Sequence, residues 1–239
     1  MIENNAFENK NKTQQVRVAA GALMLDGVLN IPKDARGIVL LVQGSSNVEN
    51  IDYHDAIVEM LLAAGMATLF VHLLTEEEEA LDRNTGFFRL NVDILHQRII
   101  GITKWLLVNQ DTQNLSIGYF GTDITGAACL IAAAKRPDPV HAMVVGEART
   151  DLAEPYLARI LAPTLLIAAE NALTMKMNQE ALALLSATGE ANRKLETISG
   201  ATSLFETPAL LQKMGDLASQ WFARHLDQSY SLLLNQQKN

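Results

Sequence analysis

Ile117-Gly118-Tyr119-Phe120-Gly121-Thr122-Asp123-Ile124-Thr125-Gly126-Ala127-Ala128 is the stretch on which the fold turns. A short apolar run enters a tight turn and leaves as a run of small residues with helical character. That is how a buried strand passes into its crossover helix. The same alternation extends outward in both directions. Residues 16–20 and 22–30 read as two strands, with Gly21 and Gly27 as turn or bulge points. Residues 37–43 (GIVLLVQ) form a continuous apolar run, the mark of a strand covered on both faces. Residues 67–72, 115–120, 140–145, 164–169 and 194–198 are further strand candidates. Helical spacing marks 55–64, 91–109, 124–135, 177–186 and 208–226, and Gly65 suits a helix C-cap. The four successive glutamates Glu76 to Glu79 read as a solvated loop. Strands alternating with helices predict an α/β fold, a mostly parallel, doubly wound sheet of about seven to eight strands flanked by helices.

No linker, repeat or low-complexity segment interrupts the pattern, so 16–226 is expected to form one domain. Residues 1–15 read as a loose polar leader and 227–239 as a peripheral tail. Of the 239 residues, 49% are apolar and 19% charged, which excludes a disordered chain. The net charge of −8 argues against nucleic acid and anionic lipid as partners. One cysteine, Cys129, excludes an internal disulfide framework and a cysteine-built zinc site. The five histidines (His54, His72, His96, His141 and His225) lack metal-ligand spacing, so neither a metal nor another cofactor is expected. The start lacks a signal-peptide pattern and no apolar run is long enough to span a membrane, so the default expectation is a cytoplasmic protein.

In a doubly wound sheet, ligands bind at the carboxyl ends of the strands. The residues found there include Gln43, Gly44, Ser45 and Ser46, His72 to Glu79, Gly121 to Gly126, Gly146-Glu147, Glu170-Asn171 and Gly200 to Ser203. Among them, Gly121-Thr122-Asp123-Ile124-Thr125 has the context of a nucleophile elbow, where G-x-S-x-G sets a serine on a strained strand-to-helix turn. Asp123 stands at the serine position. Backbone N–H groups of the Gly44-Ser45-Ser46 loop and of Ile124 could make an anion-binding nest. The carboxylate of Asp123 opposes a bound anion, so the site is expected to favour neutral or cationic ligands or to be closed.

A resemblance emerges at this point. The chain resembles the dienelactone hydrolase-like group of α/β hydrolases over roughly residues 16–226. The likeness is carried by Gly37-Ile38-Val39-Leu40-Leu41-Val42-Gln43-Gly44-Ser45, by Ala67-Thr68-Leu69 with Leu73-Leu74-Thr75-Glu76-Glu77, and by Thr85-Gly86 with Arg89. Gly118-Tyr119-Phe120-Gly121, Ala162-Pro163-Thr164-Leu165-Leu166-Ile167, Gly200-Ala201-Thr202 with Leu204-Phe205-Glu206, and Trp221-Phe222 complete it. The resemblance implies a catalytic triad, and this sequence departs from it at all three places. Asp123 occupies the nucleophile position, Asn171 the acid position and Ser203 the histidine position. The family's H-G pair after the first buried strand is Gln43-Gly44 here.

A serine nucleophile needs a base within hydrogen-bond reach, and the base needs an orienting carboxylate. A carboxylate can attack without a base, but the ester it forms then needs an activated water. Two readings of Asp123 follow, a nucleophile or a cap on the next helix, and capping preference favours the second. In the strand order that the resemblance implies, His72 falls about two strand spacings, roughly 10 Å, from the elbow, which suits a hydrogen-bonded rim residue. The other histidines read as solvent-edge residues, and Cys129 as an inert buried thiol. Glu76, Glu77 and Arg89 suggest an ion pair near the pocket. The leading expectation is a pseudo-hydrolase that binds a small ligand or a protein partner, with Gln43, Gly44, Ser45, His72, Glu77, Arg89 and Ile124 as binding residues. The alternative is an active hydrolase of an ester, lactone or carbon–halogen bond, with Asp123 as nucleophile and a relocated base. A homo-oligomer or assembly component is a third possibility.

Overall fold

The computed structural model describes residues 12–44, 52–187, 189 and 192–227. Eight strands form one sheet: β1 (Lys12–Ala20), β2 (Leu23–Ile31), β3 (Ile38–Gln43), β4 (Ala67–His72), β5 (Ile117–Thr122), β6 (Val140–Gly146), β7 (Thr164–Ala169) and β8 (Arg193–Ile198). Their spatial order is β1-β2-β4-β3-β5-β6-β7-β8. β1 and β2 form an antiparallel hairpin, β2 pairs antiparallel with β4, and every later pairing is parallel. Six α-helices and one 3-10 helix complete the set: α1 (Asp52–Ala63), α2 (Glu76–Thr85), α3 (Val92–Val108), α4 (Asp123–Lys135), the 3-10 helix (Thr150–Arg159), α5 (Ala172–Ser186) and α6 (Pro208–Leu226).

The expected doubly wound sheet is present, and the pleat explains it. All six side chains of β3 are buried: Ile38, Leu40 and Val42 enter one core, and Val39 and Leu41 the other. The first core packs α3, α4, α5 and the 3-10 helix against the sheet, and the second packs α1 and α6. A strand covered on both sides is apolar along nearly its whole length, which is why the continuous runs were legible. No helix among the described residues is long and apolar enough to cross a membrane.

Three expectations need correction. Lys12 to Gln15 are not loose: they pair with β2 residues Val28 to Ile31 as the first half of β1. Gly27 is no bulge, because the β1–β2 register runs through it without a break; a Cβ there would lie 2.8 Å from the Phe70 carbonyl oxygen, so the glycine serves close approach to β4. The glutamate run is the first turn of α2, not a loop. Thr75 and Glu78 form a reciprocal capping box: the Glu78 N–H donates to Thr75 Oγ1 at 3.3 Å and the Thr75 N–H to Glu78 Oε2 at 3.0 Å. Glu78 also receives the Arg98 guanidinium at 2.7 Å, while Arg98 reaches the Leu73 carbonyl at the end of β4. Four acids at a helix N-terminus complement its dipole, so the charge run is locally stabilised.

Candidate functional site

The turn from β5 into α4 is held by its smallest residues. A Cβ on Gly121 would lie 2.9 Å from Gly126 Cα and 3.0 Å from Cys129 Sγ, and one on Gly126 would lie 2.7 Å from Ala148 Cβ. Strand, helix and the segment after β6 therefore converge closely enough to exclude side chains there. Asp123 stands at the corner with φ +46°, a left-handed conformation that β-carbon residues rarely adopt. Strain of this kind persists only where the surroundings enforce it. The capping expectation for Asp123 is not met. Thr122 is the N-cap, and Thr125 Oγ1 both accepts from the Thr122 N–H at 3.2 Å and donates to its carbonyl at 2.8 Å. The Asp123 carboxylate is exposed and, among the described residues, forms no hydrogen bond or ion pair.

A pocket of about 220 Å³ opens at this corner, lined by Gln43, Gly44, Tyr53, Arg89, Leu90, Thr122, Asp123, Ile124 and Thr125. Gln43 ends β3, the neighbour of β5, and is 5% exposed; its amide Nε2 has no hydrogen-bond partner among the described residues. Arg89 is anchored rather than loose. Its guanidinium holds the Asp82 carboxylate at 2.9 Å, and that carboxylate, 1% exposed, also accepts the Phe88 N–H at 2.6 Å. The ion pair expected near the pocket thus joins Arg89 to Asp82 of α2, not to Glu76 or Glu77. Tyr53, in the first turn of α1, brings its hydroxyl to 3.4 Å from Thr122 Oγ1 and packs its ring on Phe205 at 4.8 Å. Burial, reinforced by the nearby Asp123 charge, pushes the Tyr53 phenol up, so it remains a proton donor at neutral pH.

Beside this pocket lies a second polar contact. Ser203 donates its hydroxyl to Glu147 Oε2 at 2.7 Å, and its N–H to Glu206 at 2.9 Å. Glu147 follows β6 with φ +48°. Thr122 and Gly146 are paired across β5 and β6, so Asp123 and Glu147 are the next residues on adjacent strand ends, both with left-handed backbone. Asn171 lies elsewhere: it is exposed and caps α5, accepting the Leu173 N–H at 3.0 Å.

Of the residues singled out from sequence, Gln43, Gly44, Arg89, Asp123 and Ile124 come together around the pocket. Ser203 and Asn171 do not line it, and Ser45 lies outside the described residues. His72 ends β4, two strands from β5 as expected, and does not line the pocket; burial lowers its pKa. Glu77 is exposed and lines a different cleft, with Arg17 and Asp26 of the β1–β2 hairpin. His54 and His96 are buried, not at the solvent edge. The His54 ring packs on Tyr53 and Phe70, and burial followed by the His72 charge lowers its pKa to about 3. His96 is held between the Val92 carbonyl and Lys135. Cys129 is fully buried, and burial pushes its thiol up, which makes it inert. Among the described residues no three metal-ligating side chains cluster.

Tyr53 was not singled out from sequence, and Glu147 was noted only as a strand-end residue. No local signal marks Tyr53, whose contact with Thr122 spans 69 residues. Thr75-x-x-Glu78, by contrast, was a readable capping signature.

No family model matches the chain. A solved structure, the dienelactone hydrolase from Anabaena variabilis ATCC 29413, is 40% identical, with a TM-score of 0.84, over 90% of this chain and 99% of that one. Carboxyl esterase 2 from Tuber melanosporum shares the fold at 14% identity, with a TM-score of 0.68 and 94% of this chain covered against 89% of that one. Two Mycobacterium tuberculosis proteins, from strains CDC 1551 / Oshkosh and ATCC 25618 / H37Rv and each named "Putative phosphoribosyl transferase", are 36% identical over 216 residues. The match takes in 90% of this chain but only 47% of theirs, so the chain spans about half the length of these curated relatives.

Proposed function

The chain belongs to the dienelactone hydrolase family of the α/β-hydrolase fold, and from that premise we propose that it binds a small molecule at the Asp123 pocket without hydrolysing it through a serine-type triad. The observation that carries this reading is the Ser203–Glu147 contact. The position that resembles the family's base bears a hydroxyl, and that hydroxyl is donated to a carboxylate. A serine hydroxyl cannot take a proton from a nucleophile or a water at neutral pH. Asp123 could attack an electrophilic carbon and expel a leaving group, but the resulting ester would persist unless a base activated water against it. The phosphoribosyl transferase name does not carry over, since it belongs to proteins about twice as long. We read that activity as residing in the portion this chain does not cover. A carboxylate at the elbow is also poorly suited to hold a pyrophosphate.

The test is hydrolysis of an aryl acetate by the purified chain and by Asp123→Ala. The expected result is no difference between them. Hydrolysis lost in Asp123→Ala but kept after a remote surface change would sink the binding reading. It would favour the second one, a hydrolase with Asp123 as nucleophile, which rests on that residue's strained backbone and on a carboxylate that is exposed and, among the described residues, unpaired.

A further inference from the structure

Two polar groups of the pocket have no partner among the described residues, and they are of opposite kind. Gln43 Nε2 is a buried donor without an acceptor. The exposed Asp123 carboxylate is an acceptor with no donor from the described residues. Both line the same cavity, from the carboxyl ends of adjacent strands β3 and β5. Leaving a donor such as Gln43 Nε2 buried and unpaired is unfavourable, so a ligand that supplies the missing acceptor gains from it. The remaining wall is apolar at Leu90 and Ile124.

We propose that the pocket recognises an uncharged primary carboxamide carried on a small apolar body, its carbonyl oxygen accepting from Gln43 Nε2 and its N–H donating to Asp123. This deepens the reading of the pocket as a binding site without turnover, and rests on it. The chemistry separates three head groups of similar size. A carboxylate could accept from Gln43 but is repelled by Asp123. An ammonium could pair with Asp123 but offers no acceptor to Gln43, and it shares the pocket with the Arg89 guanidinium. Only the amide meets both requirements and carries no charge against either ion. The cavity of about 220 Å³ is below the usual range for drug-sized ligands, so the body must be no larger than a single ring.

The test uses benzamide, benzoate and benzylammonium, which differ only in the head group, titrated against the full chain by ligand-observed NMR. Benzamide is expected to bind at least tenfold more tightly than either ion. Gln43→Leu should weaken benzamide at least tenfold and leave benzylammonium unchanged. Gln43→Glu, which replaces the donor with an acceptor of the same length, should likewise weaken benzamide at least tenfold should the leucine variant not fold. Benzoate or benzylammonium equalling benzamide, benzamide binding that ignores both Gln43 variants, or no benzamide binding at millimolar concentration would each overturn the proposal. The binding reading fails separately, on ester hydrolysis that depends on Asp123.

Discussion

Ser203 Oγ lies 2.7 Å from Glu147 Oε2, so the position that resembles the family's histidine is already in contact with a carboxylate, one strand away from where the sequence placed it. The acid position read from sequence, Asn171, caps a helix instead. An imidazole at residue 203 would therefore find an orienting partner in Glu147. The double variant Asp123→Ser with Ser203→His should gain aryl-ester hydrolysis over the parent, by tenfold or more. Adding Glu147→Gln should lower that gained rate by about 10²-fold or more, as loss of an orienting acid does elsewhere. Steady-state rates of the three proteins decide it, and a gained activity indifferent to Glu147 would refute the assignment.

The Asp82–Arg89 pair should matter to stability more than a surface pair does. Asp82 is 1% exposed, and removing Arg89 strands a buried carboxylate. Arg89→Ala is expected to cost about 3–5 kcal/mol in urea denaturation, against about 0–1 kcal/mol for Arg17→Ala at the exposed Arg17–Asp26 pair. Equal losses would mean that the Asp82 carboxylate finds compensation elsewhere.

Thr75→Ala removes one half of the α2 capping box. A loss of about 1 kcal/mol is expected from chemical denaturation, within the usual range for a cap. Thr75→Ser, which keeps the oxygen, should retain most of that stability.

Acid should weaken the fold through His54. Its pKa in the fold is lowered to about 3, from an ordinary value of 6.5, so it stays neutral when folded. Between those values the unfolded chain binds the proton and the folded one does not. Stability is therefore unaffected above pH 6.5 and falls as the pH drops below it, by about 1.4 kcal/mol per pH unit for one such group. Going from pH 7 to pH 5 should lower the unfolding free energy by about 2 kcal/mol from this residue, and His54→Leu should flatten the slope. His225, lowered to about 4 chiefly by burial, adds a component of the same sign.

How much the sequence revealed followed from the range of the forces involved. β3 and β4 were legible because burial on both faces forces an unbroken apolar run, and α6 because its apolar residues recur at helical spacing. The elbow was legible because close approach leaves room only for small residues at Gly121 and Gly126. α2 was misread because four like charges suggested solvation, while the local capping box outweighed their repulsion. Pairings such as Ser203 with Glu147, 56 residues apart, leave no trace in local pattern. They become visible only once the strand order brings the ends of β6, β7 and β8 together.

Asp123 and Glu147 share one more consequence. Each holds a left-handed backbone at a strand end, and each such non-glycine residue costs on the order of 1–3 kcal/mol. A glycine at either corner would relax the chain, so the molecule keeps a local backbone tension at both. That tension leaves the corners set for reacting groups, and a rate-selected library confined to residues 123 and 203 would need to change few side chains and no backbone. Selection at those two positions is expected to yield ester hydrolysis within a few substitutions.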